Sequence, residues 1–80
     1  MMPDFRELAR AKIQDSRNLV ISKMVGSECF TIAQQLVVNE GTKTTTIFMK
    51  GAIHVDGIDN IYGLRNALNE AIEKVEQDQK

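Results

Sequence analysis

The fold is decided by residues 28–55, which read ECFTIAQQLVVNEGTKTTTIFMKGAIHV. Apolar side chains lie two apart in residues 28–38, interrupted by Gln34, and lie on one face again in residues 43–55, as in strands whose side chains alternate between two faces. The intervening turn contains Gly41, which suits a positive φ. We therefore predict a β-hairpin. Its first face carries Phe30, Ile32, Leu36 and Val38 from one strand and Ile47, Met49, Ile53 and Val55 from the other.

The second face of this hairpin is less polar than a solvated sheet face should be. It carries Val37 and Phe48 together with Ala33, Ala52 and several threonines. An antiparallel sheet that faces water on one side usually alternates cleanly between apolar and polar residues. We therefore expect this face to be covered, either by an N-terminal helix or by a second subunit.

Residues 57–76 predict an amphipathic helix packed against the hairpin. Apolar residues recur at alternating spacings of three and four, which places them on one helical face. Asp56 is positioned to cap the N–H groups of the first turn, and Glu70 and Lys74 have the spacing of an i,i+4 ion pair. The apolar residues are Ile61, Leu64, Leu68, Ala71 and Val75, with Ile58 and Ile72 widening the stripe.

The first quarter of the chain predicts another helix, over residues 3–15. Pro3 suits a first helical turn, and polar residues lie opposite an apolar stripe. The residues of this stripe are Phe5, Leu8, Ala9 and Ile13.

Residues 19–25 fit either a third strand or a continuation of that helix, and their β-branched content favours the strand. The predicted fold is α+β in the order α-β-β-β-α, with α-β-β-α as the alternative. Residues 1–80 are expected to form one small domain, in which residues 77–80 are a frayed tail because they lack apolar side chains.

The length of the chain, 80 residues, suits one domain but leaves little for a self-sufficient core. Cys29 is the only cysteine, so a disulfide within the chain cannot add stability, and Cys29 with His54 supplies too few soft ligands for a structural metal. We expect no metal and no cofactor. Oligomerisation is the remaining common support for so small a core, so we predict a homodimer or a larger assembly.

Charge and hydropathy argue against two classes of partner. The net charge of −1 gives no general attraction to nucleic acid or to an anionic membrane. No stretch approaches the roughly 20 apolar residues of a spanning helix, and residues 1–5 lack the pattern of an export signal. We expect no membrane partner, and a reducing cytoplasm as the location of the single thiol.

Catalytic chemistry has few candidates in this sequence. His54 and Asp56 are two residues apart, so on a strand they share a face and could act as an acid–base pair, with Glu28 from the neighbouring strand. Asp56 is already explained as a helix cap, and Cys29 is better explained as a buried thiol than as a nucleophile. A small hydrolase or isomerase is therefore a third hypothesis, and we expect no enzyme.

The segment Gly41-Thr42-Lys43-Thr44 is similar to the end of a phosphate-binding loop. The full pattern requires another glycine where Leu36 stands, and it requires a helix after the lysine, whereas a strand is predicted there. The match fails, and Lys43 and Thr44 remain as candidate anion contacts at the mouth of the hairpin.

Single-stranded nucleic-acid or nucleotide binding is the runner-up hypothesis. Lysines interleaved with aromatic residues are typical of such surfaces. Strict alternation places Phe48 and Lys50 on one face of their strand and Lys43 on the other. The further candidates for this surface are Lys23 and Phe30.

The C-terminal half also resembles a known family. The segment from Lys50-Gly51 through Ile53 and Val55 to the residues Leu64, Leu68 and Ile72 is similar to the transcriptional-coactivator fold, which binds single-stranded DNA as a dimer. The resemblance covers about half the chain and includes no specific motif. This chain also has fewer basic residues than that family, which weakens the implied DNA binding.

The leading hypothesis is a small, homodimeric binding module that acts through protein–protein contact. A compact chain of this type, without enzyme motifs, is similar in character to accessory proteins of phages and mobile elements that inhibit or redirect a host factor. We expect a second copy and an unidentified protein as partners, with nucleic acid less favoured. The expected oligomer or partner surface comprises Val37, Phe48, Lys50, Leu64, Leu68 and Val75.

Overall fold

The computed structural model describes residues 4–79. Within that range the order is β-β-β-β-β-α, so both predicted orders are wrong. Pro3, expected to begin an N-terminal helix, and Lys80, expected in the frayed tail, lie outside the described residues. The elements are β1 (Phe5–Gln14), β2 (Arg17–Met24), β3 (Cys29–Glu40), β4 (Lys43–Phe48), β5 (Ile53–Asp56) and α1 (Ile58–Asp78).

The strands form an antiparallel sheet around the long central strand β3. β1, β2, β3 and β4 follow one another as a meander. β5 lies on the same edge of β3 as β4, because β4 pairs with residues 35–40 and β5 with residues 29–32. The predicted hairpin is present and turns at Gly41 with a φ of 67°. Its second strand is interrupted over residues 49–52.

β1 replaces the predicted N-terminal helix. It pairs with β2 and carries two register shifts, one between Glu7 and Ala9 and one between Lys12 and Gln14. Each bulge adds a residue, so side chains three apart, such as Glu7 and Arg10, reach the same face of the strand. Of the predicted apolar stripe, Phe5 and Ala9 lie on opposite faces, so its helical spacing does not correspond to one surface. The two shifts hide the period of two that a regular strand shows, and this explains the wrong prediction. The interpretation of residues 19–25 as a strand is confirmed by β2.

α1 begins and ends later than predicted, and it does not pack over the hairpin. The position before its first residue is held by Gly57, and no side chain caps this end within residues 4–79, so the capping role predicted for Asp56 is wrong. The backbone carbonyl of Asp56 instead accepts from Asn60 Nδ2 at 2.6 Å. The predicted ion pair is confirmed, with Lys74 Nζ 3.2 Å from Glu70 Oε1.

The chain buries little of itself. In the described range, the buried apolar side chains are Val20, Phe30 and Ile32. Over the same range, α1 approaches β5 but no other strand, and none of its residues is buried. The radius of gyration is 15.5 Å, whereas a compact chain of this length has about 12 Å. The helix therefore lies beside the sheet and leaves its faces open.

Candidate interaction surface

One side of the sheet, called here the apolar face, is mostly apolar, with the exposed Gln34 near its centre and with Phe30 and Ile32 buried. Residues paired across strands point to the same side, so the pairs of Ile21 with Ile32 and of Leu36 with Ile47 define this face. Ile47 and Ile53 are more than half exposed. The face comprises Leu19, Ile21, Phe30, Ile32, Leu36, Val38, Ile47, Ile53 and Val55. The predicted first face of the hairpin is confirmed except for Met49, which follows the end of β4.

The rim of the apolar face is positively charged. The strand pairing brings four cations and one carboxylate, Glu40, to this side among the described strands, a net charge of +3. The cations are Arg6, Arg17, Lys23 and Lys43. An apolar centre with a cationic border is suited to an amphipathic, acidic partner.

The opposite side, called here the mixed face, combines aromatic and hydroxyl side chains. Phe5 and Phe48 are 57% and 58% exposed in the single chain. Of the two covers predicted for this face, the N-terminal helix is replaced by β1, and the second subunit stays a prediction. Phe5 and Phe48 border a hollow of about 290 Å³. Its lining residues are Phe5, Ser22, Thr31, Ala33, Phe48, Met49 and Ala52.

The helix carries a third exposed surface, the apolar stripe of α1. Leu64, Leu68, Ile72 and Val75 expose between 37% and 58% of their surface. A helix of a globular protein normally buries such a stripe against a core. The stripe is defined as Ile61, Leu64, Leu68, Ala71, Ile72 and Val75.

The helix is acidic, whereas the rim of the apolar face is basic. α1 contains five carboxylates and two cations, Arg65 and Lys74, so its net charge is −3. The guanidinium of Arg65 stacks over the Tyr62 ring at 5.0 Å from the centroid. The carboxylates are Asp59, Glu70, Glu73, Glu76 and Asp78.

The residues predicted for the partner surface fall on different elements. Val37 and Phe48 lie on the mixed face, whereas the three predicted helix residues belong to the apolar stripe of α1. Lys50 lies in the bend after β4, so strand alternation does not place it beside Phe48. The three helix residues are Leu64, Leu68 and Val75.

The candidate anion contacts do not converge. Lys43 and Thr44 are adjacent in β4, so their side chains point to opposite sides of the sheet. Thr44 Oγ1 donates to Asn39 Oδ1 at 2.9 Å, and Lys43 joins the cationic rim of the apolar face. Each side chain therefore belongs to a different surface.

The candidate catalytic residues lie along β5 and β3 on the mixed face. His54 Nδ1 and Thr31 Oγ1 are 3.2 Å apart, within hydrogen-bond distance. Asp56 pairs with Cys29 across the strands. Burial raises the pKa of the Cys29 thiol, and the adjacent Asp56 carboxylate raises it further. The thiol is therefore held protonated, which disfavours a nucleophilic role.

The structure describes no group that would bind a metal ion. Across residues 4–79, no three His, Cys, Asp or Glu side chains gather in a cluster that could hold one. Nor is any helix of that range both long enough and apolar enough to cross a membrane.

Two features of these surfaces were missed in the sequence. Phe5 was assigned to a helix, although it belongs to a bulged strand beside Met24. The cationic rim could have been found by extending the strand alternation from residues 28–55 to Arg17 and Lys23.

Gln35 is buried on the mixed face, and its Oε1 has no hydrogen-bond partner among the described residues.

Comparisons of the chain with protein-family models, curated proteins and solved structures found no match.

Proposed function

We propose that this chain is a homodimeric, non-enzymatic binding module that acts in the cytoplasm through protein–protein contact. Its role would be that of the small accessory proteins with which phages and mobile elements inhibit or redirect a host factor. A reducing cytoplasm is compatible with the single cysteine, Cys29, which has no second cysteine in the chain to pair with.

The proposal is carried by one observation, the large surface that the chain exposes. The accessible surface is 6702 Å², whereas a compact monomer of 9.0 kDa exposes about 4,900 Å². The excess, 6702 minus about 4,900, is about 1,800 Å². Obligate dimers bury about 1,000–2,500 Å² on each partner, so a second copy accounts for an excess of this size.

The exposed helix adds support for a second copy. Most of the stability of a helix in a protein comes from tertiary packing of its apolar face rather than from helix propensity. α1 has 21 residues, none of them buried. Packing against a partner would bury the apolar stripe, which stays exposed in the single chain. The mixed face, with Phe5 and Phe48, is then left to bind a different protein.

Light scattering at micromolar concentration tests the dimer. We expect a mass twice the 9.0 kDa of the chain. Leu68→Glu should raise the dimer dissociation constant about 100-fold, because it buries an unpaired carboxylate. The matched control is Asn66→Glu on the other side of α1, which should leave the mass unchanged. A folded monomer that persists across dilution contradicts the proposal.

A second candidate function is single-stranded nucleic-acid or nucleotide binding on the mixed face. The observation that favours it is that Phe5 and Phe48 border the same hollow while both rings remain exposed. Exposed aromatic rings are platforms for base stacking, which contributes about 1–3 kcal/mol per base. The hydroxyls of Ser22 and Thr31 lie in the same hollow and could donate to a nucleotide.

Fluorescence anisotropy with a labelled oligothymidine tests this candidate. Phe48→Ala should weaken binding about tenfold at low salt, since one stacking platform is lost. Affinity should also fall steeply as salt rises. Val25→Ala, at an exposed position in the turn after β2, is the control. An unchanged anisotropy of the oligonucleotide at low salt would remove nucleic-acid binding from consideration.

A further inference from the structure

We propose that the dimer forms by helix exchange, in which α1 of each copy packs its apolar stripe on the apolar face of the other copy. The inference rests on the homodimer proposed above and names the two surfaces that build it. The occupant of the apolar face is therefore a second copy of this chain.

α1 leaves its own sheet directly after β5. Gly57 is the single residue between β5 and α1, and its N–H donates to the carbonyl of Glu28 at 2.8 Å. This bond ties the start of the helix to the start of β3. Among the described strands α1 approaches β5 alone, so the stripe and the apolar face of one chain remain apart and unpartnered.

The stripe of α1 and the apolar face match in size. The helix has 21 residues and is about 32 Å long at 1.5 Å per residue. β3, at the centre of the apolar face, has 12 residues and is about 40 Å long. One helix therefore fits along the apolar face, and a reciprocal pair of such contacts covers both exposed surfaces in each copy.

Of the possible arrangements of two copies, helix against sheet covers both kinds of exposed surface. Helix against helix would leave the two apolar faces exposed, and sheet against sheet would leave the two stripes exposed. The net charge of α1 does not contribute, because Asp59, Glu70 and Glu73 lie on the side of the helix away from the stripe. The stripe is bordered by two carboxylates and two cations, Glu76, Asp78, Arg65 and Lys74.

One charged contact of the exchanged helix lies at the edge of the stripe. Glu76 shares a groove with Leu68, Ile72 and Val75 on the surface of α1. When the stripe lies on the apolar centre of the partner's sheet, the carboxylate of Glu76 lies at the border of the contact. Lys23 and Lys43, two of the cations that border the apolar face, would lie at the same border of the contact.

Photo-crosslinking of isotope-mixed dimers tests the exchange. Benzoylphenylalanine replaces Leu68 in the full chain, and equal amounts of ¹⁴N and ¹⁵N protein are mixed, refolded together and irradiated. Mass spectrometry then identifies the crosslinked peptides. We expect hybrid ¹⁴N/¹⁵N crosslinks between α1 and residues of the apolar face in β2, β3 or β4. The control places the photoreactive residue at Asn66, where the interchain crosslinks should disappear.

Each other result has a defined meaning. Hybrid crosslinks from α1 to α1, or from α1 to the mixed face, overturn the exchange but leave the homodimer standing. Isotopically pure crosslinks to the apolar face show that the helix folds back on its own chain and also overturn it. A monomer by light scattering at the same concentration overturns both the exchange and the proposed function.

Charge reversal provides a second measurement that needs no crosslinker. Lys23→Glu with Lys43→Glu should raise the dimer dissociation constant about tenfold at low salt. Adding Glu76→Lys to the same chain should restore part of the lost affinity, whereas Glu73→Lys, on the same side of α1 as Asn66, should not. If Glu76→Lys alone strengthens the dimer while the sheet changes have no effect, the helices pair with each other and the exchange is wrong.

Discussion

At the scale of single residues, strand pairing creates an environment for Cys29 that its sequence neighbours do not supply. β5 places the Asp56 carboxylate directly across from the thiol. Burial and this negative charge both raise the pKa of Cys29. Because thiolate is the reactive form, the thiol should resist alkylation and oxidation at neutral pH.

The reactivity of Cys29 is predicted to depend on Asp56. Asp56→Asn removes the negative charge and should lower the pKa of the thiol, although burial still holds it above its ordinary value. The rate of alkylation by iodoacetamide, followed by mass spectrometry from pH 7 to pH 10, should therefore rise at a lower pH in the variant. Asp59→Asn, in the first turn of α1, is the control. An identical pH profile in the wild type and in Asp56→Asn would contradict this account.

At the scale of elements, the link between β5 and α1 depends on backbone conformation. Gly57 has φ 82° and ψ 150°, a region that side-chain-bearing residues adopt at a cost of about 1–3 kcal/mol. Gly63 lies in the interior of α1, where alanine is the better helix former by about 1 kcal/mol. An added Cβ meets no atom within 4 Å at either position in the described structure.

These two glycines are predicted to respond in opposite directions. Gly57→Ala should lower the free energy of unfolding by about 2 kcal/mol, whereas Gly63→Ala should raise it by up to about 1 kcal/mol. Urea denaturation at one fixed protein concentration measures both changes. Neither substitution creates a steric contact in the described structure. Equal changes in the free energy of unfolding would therefore mean that the backbone conformation at Gly57 does not require glycine.

The elements also differ in how well the sequence predicted them. The turn at Gly41 and the shared face of Leu36 and Val38 depend on residues nearby in the sequence, and both were predicted. The stripe of α1 was predicted for the same reason. β1 was not predicted, because its two bulges, at Leu8 and Ile13, interrupt the alternation by which a strand is recognised in a sequence.

At the scale of the whole molecule, the small core makes assembly part of stability. The buried apolar side chains of the described residues are three, Val20, Phe30 and Ile32, and a chain of this size has little hydrophobic surplus over its conformational entropy. If a second copy covers the apolar face and the stripe of α1, dissociation and unfolding are coupled.

Thermal stability is therefore predicted to depend on protein concentration. The midpoint of unfolding should rise by about 4 °C for each tenfold increase in concentration, as for a folded dimer of this size that unfolds to separate chains. Circular dichroism at protein concentrations of about 1, 10 and 100 µM measures the shift of this midpoint. Leu68→Glu should lower the midpoint. A midpoint that is constant over this range would indicate a stable monomer.

The sequence by itself determined the hairpin turn, the two faces of residues 28–55 and the apolar stripe of α1, because the period of the side chains and the chemistry of a turn are local properties. Only the tertiary structure decided that β1 is a strand and that α1 lies beside the sheet. Pairing with the edge of β2 selects the strand, and the link at Gly57 sets the direction of the helix. Both depend on residues distant in sequence, and together they leave the apolar face open.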